Sequence, residues 1–166
     1  MISKDLQSAI NTQIRNEYYS SYLYLSMSAY CESLNFSGFA GWLRLQSDEE
    51  LTHALRLYDY LLDRDGRVVL DSIDQPPSEF GSLQEMFQQV LDHEKEVTGM
   101  INKLYELALS ENDHATAVEL QWFINEQVEE EKSASDIVEN IKLAGKNSAA
   151  LLMLDQKVSG GSEGGE

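Results

Sequence analysis

The chain has 166 residues, enough for one domain with a buried core, and 42% of them are hydrophobic. Its 12 basic against 29 acidic residues leave a net charge of −17, which speaks against nucleic acid as a partner and suits the concentration of cations. A single cysteine, Cys31, excludes an internal disulfide framework and any cysteine-rich iron–sulfur or zinc-ribbon site.

The opening stretch MISKDLQSAI lacks the apolar core of a secretory signal, and no apolar run approaches the roughly 20 residues that span a bilayer. A lone thiol is easiest to keep in a reducing compartment. A soluble, cytoplasmic protein without membrane contact is expected. The chain holds only 2 prolines and is rich in Leu, Ala, Glu and Gln, so it is expected to be mostly helical.

Ser3 is placed to cap a first helix that runs to about Ser33. Its inward stripe, stepping by four and three, reads Leu6, Ile10, Gln13, Glu17, Ser20, Tyr24, Met27, Cys31. The stripe is apolar at its ends and polar from Gln13 to Tyr24, where a purely structural helix would carry leucine. After the turn SLNFSG, with Ser37 as the candidate cap, a second helix runs to about Arg64, and Asp65-Gly66 supplies its stop. Its stripe is Phe39, Leu43, Gln46, Glu50, His53, Leu57, Tyr60, again polar in the middle.

Asp65 to Gly81 is the one long irregular stretch and holds both prolines, Pro76 and Pro77. A helix of about 28 residues is roughly 42 Å long. Seventeen extended residues reach at most about 56–61 Å, so this stretch can cross the full length of a bundle. Ser82-Leu83-Gln84-Glu85 is a capping box that opens a third helix. The third stripe, Leu83, Phe87, Val90, Glu94, Val97, Ile101, Leu104, Ala108, is apolar except for Glu94. Asn112-Asp113 end that helix. A fourth runs to Ala144, with Gly145 as its C-cap and Lys142 near its negative end. Its stripe is Thr116, Leu120, Phe123, Gln127, Glu130, Ala134, Ile137, Ile141, Ala144. The segment SAALLMLDQKV is amphipathic and too short to stand alone, so it is expected to dock on the bundle or on a neighbouring chain. One domain, 1–158, is expected, with a disordered Gly/Ser/Glu tail over 159–166.

The polar positions repeat. Adding 77 to Glu17, Glu49, Glu50 and His53 gives Glu94, Glu126, Gln127 and Glu130, so two helix pairs each supply half of one site. A Glu and a His three apart, as in Glu50 and His53, share one face of a helix. Glu17, Glu50, His53, Glu94, Gln127 and Glu130 all fall on inward stripes near mid-height. Four ionised carboxylates in a dry core would cost several kcal/mol each and repel one another, so a positive charge is expected among them. Two metal ions bridged by Glu50 fit the set: Glu17, Glu50 and His53 for one, and Glu50, Glu94 and Glu130 for the other. Gln127 is placed to hydrogen-bond a ligand, a water or a peroxide. A carboxylate-rich site with a single imidazole suits iron. Three helices match the di-iron bundle pattern, while the fourth offers Gln127-x-x-Glu130 in place of Glu-x-x-His. Glu49, Glu126 and Glu129, next to Glu130, form a candidate third cation site or a plain acidic face. Tyr24 is an ordinary core tyrosine bonded to a carboxylate or a redox partner. Trp122 reads as packing. His93 and His114 fall off the stripes and are expected in solvent.

These residues carry a resemblance. NEYYSSYLYLSMSAYC with Glu17 and Tyr24, DEELTH with Glu50 and His53, Glu94 in LDHEKE, LQWFINEQVEEEK with Trp122, Glu126, Gln127, Glu129 and Glu130, and the closing LAGK are together similar to the non-haem bacterial-type ferritins. The similarity covers about residues 1–158. It implies an all-α, ferritin-like four-helix bundle with one long crossover loop and a short fifth helix. It implies a homo-oligomer, a hollow twenty-four-subunit cage holding ferric mineral, and a ferroxidase centre that oxidises Fe(II) with O2 or peroxide. The roles it implies are Glu17, Glu50, His53, Glu94 and Glu130 at a two-iron site with Gln127 beside it. It further implies Glu49, Glu126 and Glu129 at a third iron site, and Tyr24 as a nearby electron donor. Bacterioferritins bind haem through a second-helix methionine whose position here is Thr52, so no haem is expected. The acidic residues that line threefold channels in animal heavy-chain ferritins correspond here to Ala117 and Leu120, leaving Asp113 or Glu119 as substitutes. Two other readings stay open at this point: a small di-iron oxidase or peroxidase that stores nothing, and a helical bundle without enzymatic activity.

Overall fold

Local chemistry sets where the helices start and stop. In the computed structural model, which describes residues 2–160, the elements are α1 (Lys4–Ser33), α2 (Ser37–Asp63), α3 (Leu83–Ser110), α4 (His114–Ala144) and α5 (Ser148–Gly160). Ser3 Oγ accepts from Leu6 N at 3.0 Å and opens α1. Ser82 and Glu85 form the expected capping box of α3, and Asp113 Oδ1 accepts from Thr116 N at 3.0 Å to open α4. The first three helices end on left-handed residues, Asn35 (φ 64°), Asp65 (φ 54°) and Asn112 (φ 56°). Their paired reverse bonds include Phe36 N to Cys31 O, Gly66 N to Leu61 O and Asp113 N to Ala108 O.

Asp65-Gly66 stops α2 as expected: Asp65 takes the left-handed turn, and Gly66 gives space, because a Cβ there would lie 2.4 Å from Leu61 Cδ1. The start of α2 shifts by one residue. Ser37 is the first residue of α2, and Phe36 occupies the cap position without a side-chain cap bond. That helix start is closed from outside by α5.

Packing then gives an antiparallel bundle. α1 lies beside α3 in opposite directions, with Asn16 meeting Met100, Ser20 meeting His93 and Tyr24 meeting Glu94. α2 lies beside α4 in the same manner, with Arg56 on Glu119 and Arg64 on Asp113. The segment between α2 and α3 climbs the outside of α1. Gln7 Oε1 accepts from Arg67 N at 2.9 Å, and Asn11 bonds both Arg67 O (3.0 Å) and Val69 N (2.8 Å). Near the other end, Ser26 bonds Pro77 O and Tyr30 bonds Gly81 O. The long crossover expected from the sequence is therefore present, held by side chains that satisfy its otherwise unpaired backbone.

The apolar core is divided in two. One cluster gathers Tyr24, Met27, Phe39, Leu43, Phe87 and Val90 with their neighbours. The other gathers Leu6, Ile10, Leu57, Ile101, Leu120 and Phe123 with theirs. Between them runs a belt of buried polar side chains: Gln13, Glu17, Ser20, Gln46, Ser47, Glu50, His53, Glu94, Gln127 and Glu130.

α5 docks on the bundle, chiefly on α2 and also on α4. Its Asp155 is only 7% exposed, and Asp155 Oδ1 accepts from Phe39 N at 2.8 Å in the first turn of α2. Gly38 permits this approach, since a Cβ there would sit 1.9 Å from the Asp155 carbonyl oxygen. Gly38→Ala is expected to displace α5 and leave the four-helix bundle folded. Limited proteolysis should then cut at the α4–α5 junction of the variant and spare the parent. Equal resistance of the two proteins would refute this account of the docking. α5 runs two residues past the expected boundary at 158, through Gly160, and the remainder of the tail lies outside the described residues. Among the described residues no helix is long and apolar enough to cross a membrane.

Candidate metal centre

The polar belt places every expected central residue at the bundle axis. Glu17 and Glu94 are each 1% exposed, Glu50 2%, His53 and Gln127 4%, and Glu130 8%. Glu17 comes from α1, Glu50 and His53 from α2, Glu94 from α3, and Gln127 and Glu130 from α4, so all four long helices contribute.

On the α1–α2 side, ligand-type atoms of Glu17, Glu50 and His53 lie within 4.8 Å of one another. Gln13, one turn before Glu17, donates from Nε2 to Glu17 Oε1 at 2.7 Å. The second oxygen, Glu17 Oε2, has no hydrogen-bond partner, and neither has Glu50 Oε2, although His53 Nδ1 faces the latter at 3.5 Å. The His53 ring is wedged edge-to-face against Trp122 (5.4 Å between centroids) and Phe123 (5.9 Å), which sets its direction without using its nitrogens. Trp122 thus packs on the centre, as expected. It also carries the Arg56 guanidinium 4.0 Å above its ring, a contact that the helix period alone does not reveal.

On the α3–α4 side, Tyr24 donates its hydroxyl to Glu94 Oε1, and Gln127 Nε2 donates to Glu94 Oε2 at 3.1 Å and to the Glu94 carbonyl at 3.2 Å. Glu130 shares a second cluster with His53 and Glu126, whose ligand-type atoms also lie within 4.8 Å of one another. Glu126 is half-buried, and Glu49 and Glu129 are exposed. Glu49 accepts from Gln46 Nε2 and lies close enough to Glu126 and Glu130 to perturb Glu130 electrostatically. Glu129 belongs to neither ligand cluster. Of the expected third set, Glu126 belongs to a ligand cluster with Glu130, Glu49 lies near them outside it, and Glu129 is exposed and outside it.

Burial raises the proton affinity of the four carboxylates in the belt. Desolvation, with Glu50 next, pushes Glu17 well above the usual carboxylate range. Desolvation, with Glu94 next, does the same to Glu50. Glu94 is raised by burial against the opposing bonds from Tyr24 and Gln127. Glu130 is pushed up to about 8 by burial, then by Glu94, Glu49 and Glu126. Burial and the neighbouring carboxylates raise the Tyr24 phenol as well. A divalent cation removes both problems at once: it supplies the partner that the orphaned oxygens lack and cancels the repulsion among the carboxylates.

One residue differs from its expected surroundings. His93 is not solvated. It is half-buried between α1 and α3, with Nε2 2.8 Å from Ser20 Oγ and its ring edge-to-face with Tyr24 (5.7 Å). The α1–α3 contact is wider than a single stripe, and burial lowers the imidazole's proton affinity. Ala117 and Leu120 lie inside the second core cluster, 5% and 1% exposed, so neither lines a channel surface. The two suggested substitutes are already engaged. Asp113 is paired with Arg64, which lowers it to about 2, and Glu119 is paired with Arg56 at 2.5 Å. An arginine beside each carboxylate offsets the charge that would draw a cation.

A four-helix bundle with one long crossover, built around a buried carboxylate–histidine centre, is the class that fold and site define. The family model described as a ferritin-like domain matches residues 7–144. The chain is 45% identical over 158 residues to a bacterial non-heme ferritin of Bacteroides fragilis, covering 95% of this chain and 98% of that one. It is 38% identical over 159 residues to a bacterial non-heme ferritin of Escherichia coli, covering 96% of each. Among solved structures, an open-pore ferritin from the archaeon Archaeoglobus fulgidus superposes with a TM-score of 0.95 at 47% identity, covering 96% of this chain and 98% of that one. The chain belongs to the ferritin family.

Proposed function

We propose that this ferritin stores iron and oxidises Fe(II) at the belt before storage. One observation carries the reading: two fully buried carboxylate oxygens, Glu17 Oε2 and Glu50 Oε2, stand without a hydrogen-bond partner beside His53. Natural interiors rarely keep such groups unless an ion satisfies them. Iron is the substrate. Glu17, Glu50 and His53 hold one Fe(II), and Glu50, Glu94 and Glu130 hold a second. Gln13 and Gln127 fix the outer oxygens of Glu17 and Glu94. Each Fe(II) gives up one electron. Two electrons and two protons convert O2 to hydrogen peroxide, and two more of each convert the peroxide to water.

Tyr24 is placed to supply a further electron, with its proton passing along its hydrogen bond to Glu94. Glu49, Glu126 and Glu129 provide a third cation site on the way out of the centre. Ferric product collects inside an oligomeric cage, of twenty-four subunits by resemblance to the family. The protein works in the cytoplasm and takes no haem, because the second-helix position used for haem in bacterioferritins is Thr52 here.

Aerobic Fe(II) addition followed by size-exclusion chromatography tests the reading. Soluble iron in large excess over the ligand set, co-eluting with a very large particle, is expected. Iron that stops at the number of sites on a small species would replace storage with a non-storing di-iron enzyme.

A further inference from the structure

The centre is one side chain away from the surface on the α3–α4 side. A recess of about 310 Å³ opens between these helices, and its lining includes Thr98, Gln127 and Glu131. Three aliphatic residues of the lining step inward: Val128 is 67% exposed, Ile124 is half-buried and Ile101 is 1% exposed. The deepest polar residue is Gln127, whose Nε2 holds Glu94 Oε2 at 3.1 Å. The same nitrogen lies 3.3 Å from Thr98 Oγ1, and Thr98 Oγ1 donates across the recess to Glu131 Oε1 at 2.6 Å. A chain of hydrogen bonds therefore runs from Glu131 at the half-exposed rim to the buried carboxylate of Glu94.

We propose that this recess is the port by which a small uncharged oxidant, dioxygen or hydrogen peroxide, reaches the centre, with Gln127 as its floor and the Thr98–Glu131 bond as its latch. The proposal rests on the ferroxidase reading above. Its chemistry follows from the lining. The aliphatic residues suit weakly hydrated dioxygen, and Thr98, Asn102 and Gln127 offer the hydrogen bonds that peroxide needs. A hydrated dication would have to shed water against the aliphatic residues with Glu131 as the one charged group of the lining. Anions are opposed by Glu131 and by the chain's net charge of −17. Acidic side chains that suit iron lie on the opposite, α2–α4 side, at Glu49 and Glu126. Oxidant and metal thus meet at the belt from different faces.

Two variants test the port. Asn102, exposed at the recess, is outside the metal-binding set, and Asn102→Trp plugs the opening. Thr98→Val keeps the size of the side chain and removes the latch. Oxidation rates are measured against O2 concentration and, in a separate anaerobic series, against hydrogen peroxide. Asn102→Trp is expected to raise the apparent KM for at least one oxidant by roughly fivefold, with kcat at saturating oxidant unchanged. The oxidant whose KM rises is the one the port carries. Thr98→Val is expected to lower the same KM, and it decides the matter alone if the Trp variant does not fold. KM values within roughly twofold of the parent for both oxidants in the folded variants overturn the proposal. Anaerobic Fe(II) titration of the parent separates this from failure of the ferroxidase reading: the parent must bind Fe(II), and the variants must match it.

Discussion

Glu50→Gln is expected to abolish fast Fe(II) oxidation while making the metal-free protein more stable. Both effects have one cause. In the proposed site Glu50 is the carboxylate shared by the two irons: it clusters with Glu17 and His53, and Glu94 and Glu130 act on it electrostatically. On that reading it would be a ligand of both ions. Its loss therefore removes a ligand from each. Partners one step removed from a metal already cost about 10–100-fold, so a decrease in initial rate on the order of 100-fold or more is expected. In the metal-free protein the same carboxylate is an orphan, 2% exposed with one oxygen unpartnered. A neutral amide of similar size cannot ionise, so at a pH where the belt carboxylates lose their protons it avoids charge repulsion and desolvation, a gain on the order of 1 kcal/mol or more. At about 2–4 °C per kcal/mol for a chain of this size, the gain is readable in a thermal melt. The two readouts, stopped-flow oxidation and melting of the metal-free form, must move in opposite directions. A variant that loses activity and stability together would mean that Glu50 is structural. An unchanged rate would remove it from the site.

Much of this was legible in the sequence, because a helix stripe is a one-dimensional signal. Residues spaced by three and four share a face whatever packs against them, so all eight members of the α1 stripe are buried as expected. Four such stripes, each with polar residues at mid-height, leave one place for Glu17, Glu50, His53, Glu94, Gln127 and Glu130. The crossover was legible for a similar reason, since chain length bounds reach. What the spacing could not give were contacts made at the edges of a stripe or between chemically ambiguous neighbours. His93 sits one residue before the stripe member Glu94. Whether that edge faces water or α1 depends on how broadly the two helices touch, and Tyr19, Ser20 and Tyr24 make the contact broad. Arg56 lies over Trp122 for the same kind of reason: a long cationic side chain reaches across to α4 from outside the seam. Asp65 and Gly66 are adjacent and both tolerate the turn. Only the closeness of Leu61 to Gly66 assigns their roles. Glu126 and Glu129 are equivalent in a run of acidic residues, and their difference in burial comes from helix rotation within the bundle.

Raising the pH is expected to weaken the metal-free protein and to strengthen the metal-bound one. Burial raises Glu17, Glu50 and Glu94 above their ordinary value and pushes Glu130 up to about 8. Below an unfolded value near 4.5, both states of the metal-free chain hold these protons and the contribution to stability is complete. As the pH climbs from there towards about 8, the unfolded chain releases protons that the folded chain keeps, so the free energy of unfolding falls. A divalent cation reverses the slope. It binds the ionised carboxylates and neutral imidazole, so its affinity increases as the same groups lose their protons. Zn(II), which has no redox chemistry, isolates this effect from oxidation. At 100 times its dissociation constant a ligand adds about 2.7 kcal/mol, or roughly 5–10 °C in melting temperature for a chain of this size. Melting curves at about pH 5 and about pH 8, each with and without Zn(II), should therefore diverge. The metal-free midpoint drops, the loaded one rises, and the gap is widest at the higher pH. Parallel midpoints would mean that the belt is satisfied without a cation, and the orphaned oxygens of Glu17 and Glu50 would need another partner. Divergence in the parent and its loss in Glu50→Gln would tie the whole pH dependence to the carboxylate that joins the two halves of the site.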